Sequence, residues 1–369
     1  MDIQTPLAEL HLAAGAKLEP YFRVALPAKF GEPLVGHRLA RERVGLIDTN
    51  FRAVFSLSGP DRVRYLNAVL TSNVRDLAPG QGAIGLLLNA QGHILAELET
   101  LALEDRLLIL GHAFIRQQTA ATLDKFIIMD DATLADQTAE SGLVAIEGPA
   151  APDIVRERTG VELTVLPEYG HAPATFKSVA GSIPCRVIRH SLFGFPGAEF
   201  LVRRDALEPL WKALGAAVRA RDGGPIGYRA LDALRLEAGV PWFGADFDEH
   251  HIPHEAALEG THISYVKGCY TGQEIVERVR SRGHVNRRRV ALLFSVAEPP
   301  APGTKLSAGG AEAGHVTSAA FSPLAGKPIG MGYLRREHSQ PGNRLECAGA
   351  QAEVIELPLP AAVAAAPTA

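Results

Sequence analysis

Lys267–Glu274 reads KGCYTGQE. Thr271 followed three residues later by Glu274 is the spacing of a capping box, in which the two side chains satisfy free backbone N–H groups at a helix start. The next residues, IVERVR, continue that helix. Cys269 then stands just outside a helix N-terminus, where the helix dipole and the neighbouring Lys267 favour thiolate over thiol. A reactive cysteine is one reading. A small buried filler in a tight turn is the other.

The rest of the chain limits what such a thiol can do. Cys185, Cys269 and Cys347 are the only cysteines of 369 residues. They are far apart and form no C-x-x-C pair, which disfavours a disulfide framework and a self-contained zinc or iron–sulfur ligand set. A hydrophobic fraction of 47% with 21% charged residues is that of a globular protein, long enough for two or three domains. The net charge of −4 argues against coating nucleic acid or membrane over the whole surface. The N-terminus lacks the basic-then-apolar order of a secretory signal, and no run is apolar enough to span a bilayer, so a cytoplasmic protein is expected.

Outward from the motif, short strands alternate with amphipathic helices. FRAVFSLSGPDRVRYLNAVL, from Phe51, predicts a strand, a turn at Ser58–Pro60 and a helix through Val63, Leu66 and Leu70. AIGLLLNAQGHILAELETLALEDRLLILG predicts three strands with turns at Ala90–Gly92 and Glu104–Asp105. A helix over FIRQQTAATLDKFI, a strand at LVAIEG, and helices after Pro149, over Asp205–Arg221 and over Tyr228–Glu237 follow. Beyond Arg289 the texture changes to short β-rich pieces separated by Gly and Pro, the signature of a small barrel or sandwich. The final residues, rich in Ala and Pro, read as a frayed tail.

KGCYTGQE closely resembles the signature of the YgfZ family, folate-binding proteins implicated in iron–sulfur enzyme maturation and in tRNA modification. That family shares a superfamily with the glycine-cleavage T-protein, a tetrahydrofolate-dependent aminomethyltransferase. Collinear segments carry the likeness along nearly the whole chain: TPLAELHLAAGAKLEPYF, GPDRVRYLNAVLTSNVRDLAPGQG, LDALRLEAGVPWFGADFDE and GHVTSAAFSPLAGKPIGMGYL. The resemblance implies an α+β, multi-domain clover-leaf around a central folate cavity, with a small C-terminal β-barrel. The expected organisation is a folate-binding region over 1–285, itself two interleaved parts (1–50 plus 140–285, and 51–139), a barrel over 286–358 and a disordered tail over 359–369.

By the same resemblance, Glu199 in GFPGAEF and Arg235 in LRLEAG are expected to bind tetrahydrofolate. A carboxylate accepts hydrogen bonds from the aminopyrimidine edge of a pterin, and a guanidinium pairs with a carboxylate or carbonyl of the cofactor. T-proteins carry paired aspartates where this chain has Ala96 and Glu97, and one of them is catalytic. Alanine orients nothing, and the longer glutamate moves the carboxylate by about one carbon–carbon bond. Ile84 stands at a tyrosine position of the T-protein pattern and Gly111 at an asparagine position. Aminomethyl transfer is therefore disfavoured, with Glu97 as its one substitute base.

Two other stretches carry candidate chemistry. Asp246, Asp248, Glu249, His250, His251, His254 and Glu255 form a metal-ligating composition that Pro253 interrupts, and no metal site is predicted there. The arginines of RVRSRGHVNRRR, 278–289, offer a strip for tRNA phosphates or another polyanion, or simply a solvated helix end. The reading is thus a tetrahydrofolate-binding protein of the YgfZ type that assists iron–sulfur client or assembly proteins, with Cys269 and Lys267 at the rim of the folate cavity. The competing readings are a folate-dependent aminomethyltransferase using Glu97, and a folate-sensing interaction module.

Overall fold

The computed structural model describes residues 3–359. Besides a small three-stranded sheet of Ile3–Gln4, Val24–Lys29 and Lys17–Tyr21, three larger sheet-based units make up the described residues. The first is a five-stranded sheet in the spatial order Gly82–Leu88, Ile94–Ala102, Arg106–His112, Arg52–Ser58, Thr133–Asp136. The three strands and two tight turns read from 83–111 are all present. Their alternation is the reason for the sheet's two faces. Ala53, Phe55, Leu57, Ala96 and Leu98 point to one side, where Leu66 and Val69 from the helix at Arg62–Val69 and Leu123 from the helix at Arg116–Phe126 cover them.

The second unit is a six-stranded sheet ordered His171–Ser178, Gly181–Arg189, Gly197–Arg203, Ser141–Glu147, Gly45–Asp48, Gly224–Pro225. Helices Ala151–Thr159 and Leu207–Arg219 pack on it through Ile154, Val155, Leu210 and Leu214. Its other face meets the first sheet: Leu143 and Ile188 join Val54, Leu101, Leu108 and Leu110 in one apolar layer. Arg52, Glu97 and Glu99 lie on the same strand faces as Val54 and Leu101, two or four residues away, so the alternation carries them into this inter-sheet space as well.

Residues Arg287–Ile355 close a six-stranded barrel around Leu292, Phe294, Leu306, Val316 and Val354. One of its strands, Arg344–Cys347, is too short and polar to stand out in the sequence. The helix Pro33–Glu42 was likewise not foreseen; Pro33 occupies its first turn, and its buried His37 bonds Glu237 at 2.8 Å. Of the tail expected over 359–369, only Leu359 is among the described residues, and its N–H donates to the Glu237 carbonyl at 2.9 Å. Among the described residues no helix is long and apolar enough to cross a membrane.

The helix begun in KGCYTGQE corrects one expectation. It runs from Gln273 to Arg282 with Gly272, not Thr271, as the flanking residue and without a side-chain cap. Gly272 has φ +82°, and a Cβ there would sit 2.6 Å from the Asn89 carbonyl oxygen. Close docking of the helix on the Asn89–Gly92 turn therefore requires glycine, and the capping box gives way to it. Glu274 instead pairs along the exposed helix face with Arg278, 2.8 Å away.

Candidate functional site

A cluster of charges lies buried between the two sheets. Arg52, at the start of its strand, donates from Nη1 to Glu99 at 2.8 Å and from Nε to Glu199 at 3.0 Å. Its Nη2 lies 3.0 Å from Nε2 of His190. Because a guanidinium only donates, that imidazole nitrogen accepts. Burial and the neighbouring guanidinium lower the pKa of His190 to about 4, so the ring is neutral at ordinary pH. Glu199 is fully buried and Glu99 nearly so, and each keeps one carboxylate oxygen, Oε2, without a hydrogen-bond partner. A buried acceptor left unpaired costs about 1–3 kcal/mol, which an N–H donor reaching that oxygen would relieve.

Glu97 joins the cluster from the same face as Glu99. Its Oε1 lies 3.0 Å from Nε2 of His262, and its Oε2 3.5 Å from Nε2 of His112. Burial alone would raise its pKa, but these two imidazoles outweigh it and hold the carboxyl well below the usual carboxylate range. Ala96, by contrast, faces the helix-covered core. The alanine thus occupies a position that points away from the charged cluster, and its lack of a carboxylate removes nothing from it. Gly111 faces the same core as Ala96: a Cβ there would meet Leu98 at 2.8 Å.

On the far side of His112 from Glu97 lies a cavity of about 550 Å³ walled by Tyr21, Phe22, Phe114, Trp242 and Phe243, with Asp232 and Arg235 at its margin and without Glu97 itself in its lining. Phe22, Phe114 and Phe243 pack on His112 at ring separations of 5.4, 5.7 and 5.3 Å, so one imidazole separates the aromatic wall from Glu97. Arg235 is brought to this cavity but is heavily engaged within the protein. It pairs with Asp232 at 2.7 Å and with Asp246, donates to the Val240 carbonyl, and lies 4.5 Å from the Trp242 ring. Asp246 in turn accepts from Thr317 and Ser318 of the barrel. Arg235 thereby ties the helix Tyr228–Ala238 to the barrel.

The signature residues go elsewhere. Lys267 is buried, and its ammonium donates to the carbonyls of Asn67, Leu70 and Ser72, at and just beyond the end of the helix Arg62–Val69. Burial and the nearby Arg75 lower its pKa to about 8, while the three carbonyls favour the charged form. With its three protons committed to carbonyls, Lys267 serves the backbone, in place of the expected role of biasing a thiolate. Tyr270 is buried against Leu86, Leu88 and Ile94. Cys269, between them, is exposed. It is not among the residues lining the aromatic cavity, which corrects its expected place at that rim.

The remaining candidates are dispersed. His251 stacks on Tyr333 at 4.2 Å and bonds Asp248, His254 reaches Tyr265, and Asp246 belongs to Arg235, so this run serves separate structural partners. Along the arginine strip, Arg278, Arg280, Arg287 and Arg288 each face a glutamate (Glu274, Glu277, Glu255 and Glu259), and Arg289 donates to the Ala256 carbonyl. The strip is largely neutralised where it lies. Arg52, Glu99, His112, His190 and His262 escaped the sequence reading. Only Glu99 had a visible signal, its two-residue spacing from Glu97 on a predicted strand.

Comparison with known proteins accords with this architecture. Residues 7–263 match the GCVT N-terminal domain, and residues 287–367 the glycine cleavage T-protein C-terminal barrel domain. The chain is 31% identical over 345 residues to an aminomethyltransferase of Streptomyces coelicolor, covering 92% of this chain and 91% of that one. It is 33% identical over 352 residues to the mitochondrial aminomethyltransferase of Gallus gallus, covering 93% and 87%. The crystal structure of the glycine cleavage system aminomethyltransferase T from Bartonella henselae superposes with a TM-score of 0.88 at 25% identity, over 99% of both chains. Sequence and fold agree along the full length of both domains, and the chain belongs to the glycine cleavage T-protein family.

Proposed function

We infer that the protein carries out tetrahydrofolate-dependent one-carbon transfer of the aminomethyltransferase type, with Glu97 as the carboxylate at the reacting centre. The observation that carries this reading is the orientation of Glu97 into the charged cluster while Ala96 faces the core. The departure from a paired aspartate therefore leaves a carboxylate in place. The relatives that cover nearly the whole chain and are named aminomethyltransferase support the same reading.

The residues present fit a reduced folate. The unpaired Oε2 atoms of Glu99 and Glu199 are acceptors suited to the amino and ring N–H groups of a pterin, and the aromatic walls near His112 suit a flat ring system. When bound, the folate supplies the nitrogen that accepts the one-carbon unit. Arg52 orients Glu99 and Glu199 by holding one oxygen of each, leaving the other for the ligand. Glu97, kept ionised, stabilises positive charge on a donor amine in a space from which the two sheets exclude most water.

The test is a tetrahydrofolate titration and a transfer assay on wild type and Glu97→Gln. The expected result is binding within about threefold of wild type and transfer slowed by about 100-fold or more. Wild type that does not bind tetrahydrofolate, or a variant with unchanged transfer, overturns the reading.

The second reading, assistance to iron–sulfur enzymes, rests on the exposed thiol of Cys269 within the signature. It needs a partner that reaches that thiol from solvent and does not need Glu97.

A further inference from the structure

The signature segment and the buried carboxylate are far apart in sequence, and the fold joins them through one histidine. The stretch Thr261–Tyr270 crosses the end of the helix Arg62–Val69. It is fastened there at three points. The Thr71 hydroxyl donates to the His262 carbonyl at 2.6 Å, the Ser264 N–H donates to the Thr71 carbonyl at 2.9 Å, and Lys267 holds the carbonyls of Leu70 and Ser72. So fastened, the stretch delivers the His262 ring to Oε1 of Glu97 at 3.0 Å. His112, from the far end of a neighbouring strand, reaches the other oxygen.

The tautomers follow from the partners. A carboxylate only accepts, so both imidazoles turn an N–H at Nε2 toward Glu97. Nδ1 of His262 lies 2.7 Å from the Thr261 hydroxyl, so both ring nitrogens are held by polar partners and the ring orientation is fixed. The other groups facing Glu97 are Arg52 and Glu99 from its own sheet, and His190 and Tyr169 from the six-stranded unit. Arg52 is spent on Glu99 and Glu199, Glu99 opposes ionisation, and His190 is neutral. The two histidines are therefore the direct hydrogen-bond donors to this carboxylate.

We propose that His262 and His112 are positioning residues that clamp Glu97 in one orientation as a carboxylate, and that the structural task of the KGCYTGQE segment, through Lys267, is to hold His262 in that clamp. The inference rests on the functional reading above for its meaning in catalysis. The clamp itself is a property of the protein without ligand.

The full chain, labelled with ¹³C at glutamate carboxyls, tests it by pH titration in NMR, with the Glu97 signal identified by its loss in Glu97→Gln. His262→Leu should raise the Glu97 midpoint by about one unit or more, a tenfold gain in proton affinity, and His262→Gln, which keeps an N–H donor, should recover most of it. Transfer by His262→Leu should fall about tenfold in kcat with KM for tetrahydrofolate within about twofold. A Glu97 midpoint unmoved in His262→Leu overturns the proposal. Should His262→Leu fail to fold, ¹⁵N spectra of the wild-type imidazoles decide: the Nε2–H tautomer at both rings is expected, and the opposite tautomer at His262 overturns it. A wild type without transfer activity sinks the functional reading alone, because the carboxyl titration still measures the clamp.

Discussion

The Lys267 ammonium lies 2.9 Å from the carbonyl oxygen of Ser72, a residue 195 positions earlier in the chain. Together with the carbonyls of Asn67 and Leu70 it forms a closed set of charge-assisted hydrogen bonds at a helix end. The most basic residue of the signature is thus a cap for another element, in the place where a helix C-terminus carries partial negative charge.

Removing that cap has a defined cost. Lys267→Met keeps most of the side-chain length but strips three carbonyls of their donor and removes the ammonium that lies 5.1 Å from the Tyr270 ring centroid. A loss of about 2–4 kcal/mol in unfolding free energy is expected, measured by urea denaturation. A variant as stable as wild type would mean that the ammonium contributes nothing at this site.

Arg52 is the one guanidinium shared by Glu99 and Glu199. Arg52→Met leaves both carboxylates buried beside each other, which should destabilise the fold by about 3–5 kcal/mol near neutral pH. The sign of the pH dependence follows from Glu99, whose pKa burial raises above the ordinary glutamate value even with Arg52 present. The folded state therefore holds that proton more tightly than the unfolded chain, and the stability it lends is greatest in acid and lost as pH rises through the folded value. Without Arg52 the folded value climbs further, so the deficit of the variant should shrink as pH falls from about 8 to about 5. Urea unfolding at several pH values measures it, and a deficit independent of pH contradicts this account.

The three thiols should separate by access. Cys269 is exposed, Cys347 is buried, and burial pushes the half-buried Cys185 up to about 11. A thiol reagent at neutral pH should modify Cys269 in a fast phase that Cys269→Ser abolishes, with one-carbon transfer changed less than about twofold. The same variant tested for rescue of an iron–sulfur maturation defect weighs the second reading: retained rescue removes it.

The legible parts of this protein are those whose signal is local. The strand alternation of Ile94–Ala102 announces that Glu97 and Glu99 share a face, and the turns at Gly92 and Glu104–Asp105 set the three strands around it. Gly272 shows the limit of such reading. Thr271 and Glu274 have the spacing of a cap, but the approach of the Asn89–Gly92 turn to within 2.6 Å of a Cβ position is a tertiary demand with no trace in the octapeptide. Arg235 shows it again. The resemblance implies a cofactor contact for it, and only the fold shows that Asp232 and Asp246 pair with its guanidinium at the margin of the aromatic cavity.

By itself the sequence determined the α+β architecture, the small C-terminal barrel and the T-protein superfamily, though not a place among the YgfZ proteins, because hydrophobic period, turn residues and collinear motifs all act over short stretches. Only the tertiary structure decided which charges meet: that Arg52 bridges Glu99 and Glu199, that Ala96 looks away from the site, and that His262 reaches Glu97. Buried polar groups must find partners wherever the packing of two sheets leaves them, and that choice is made across the fold, beyond the reach of any local pattern.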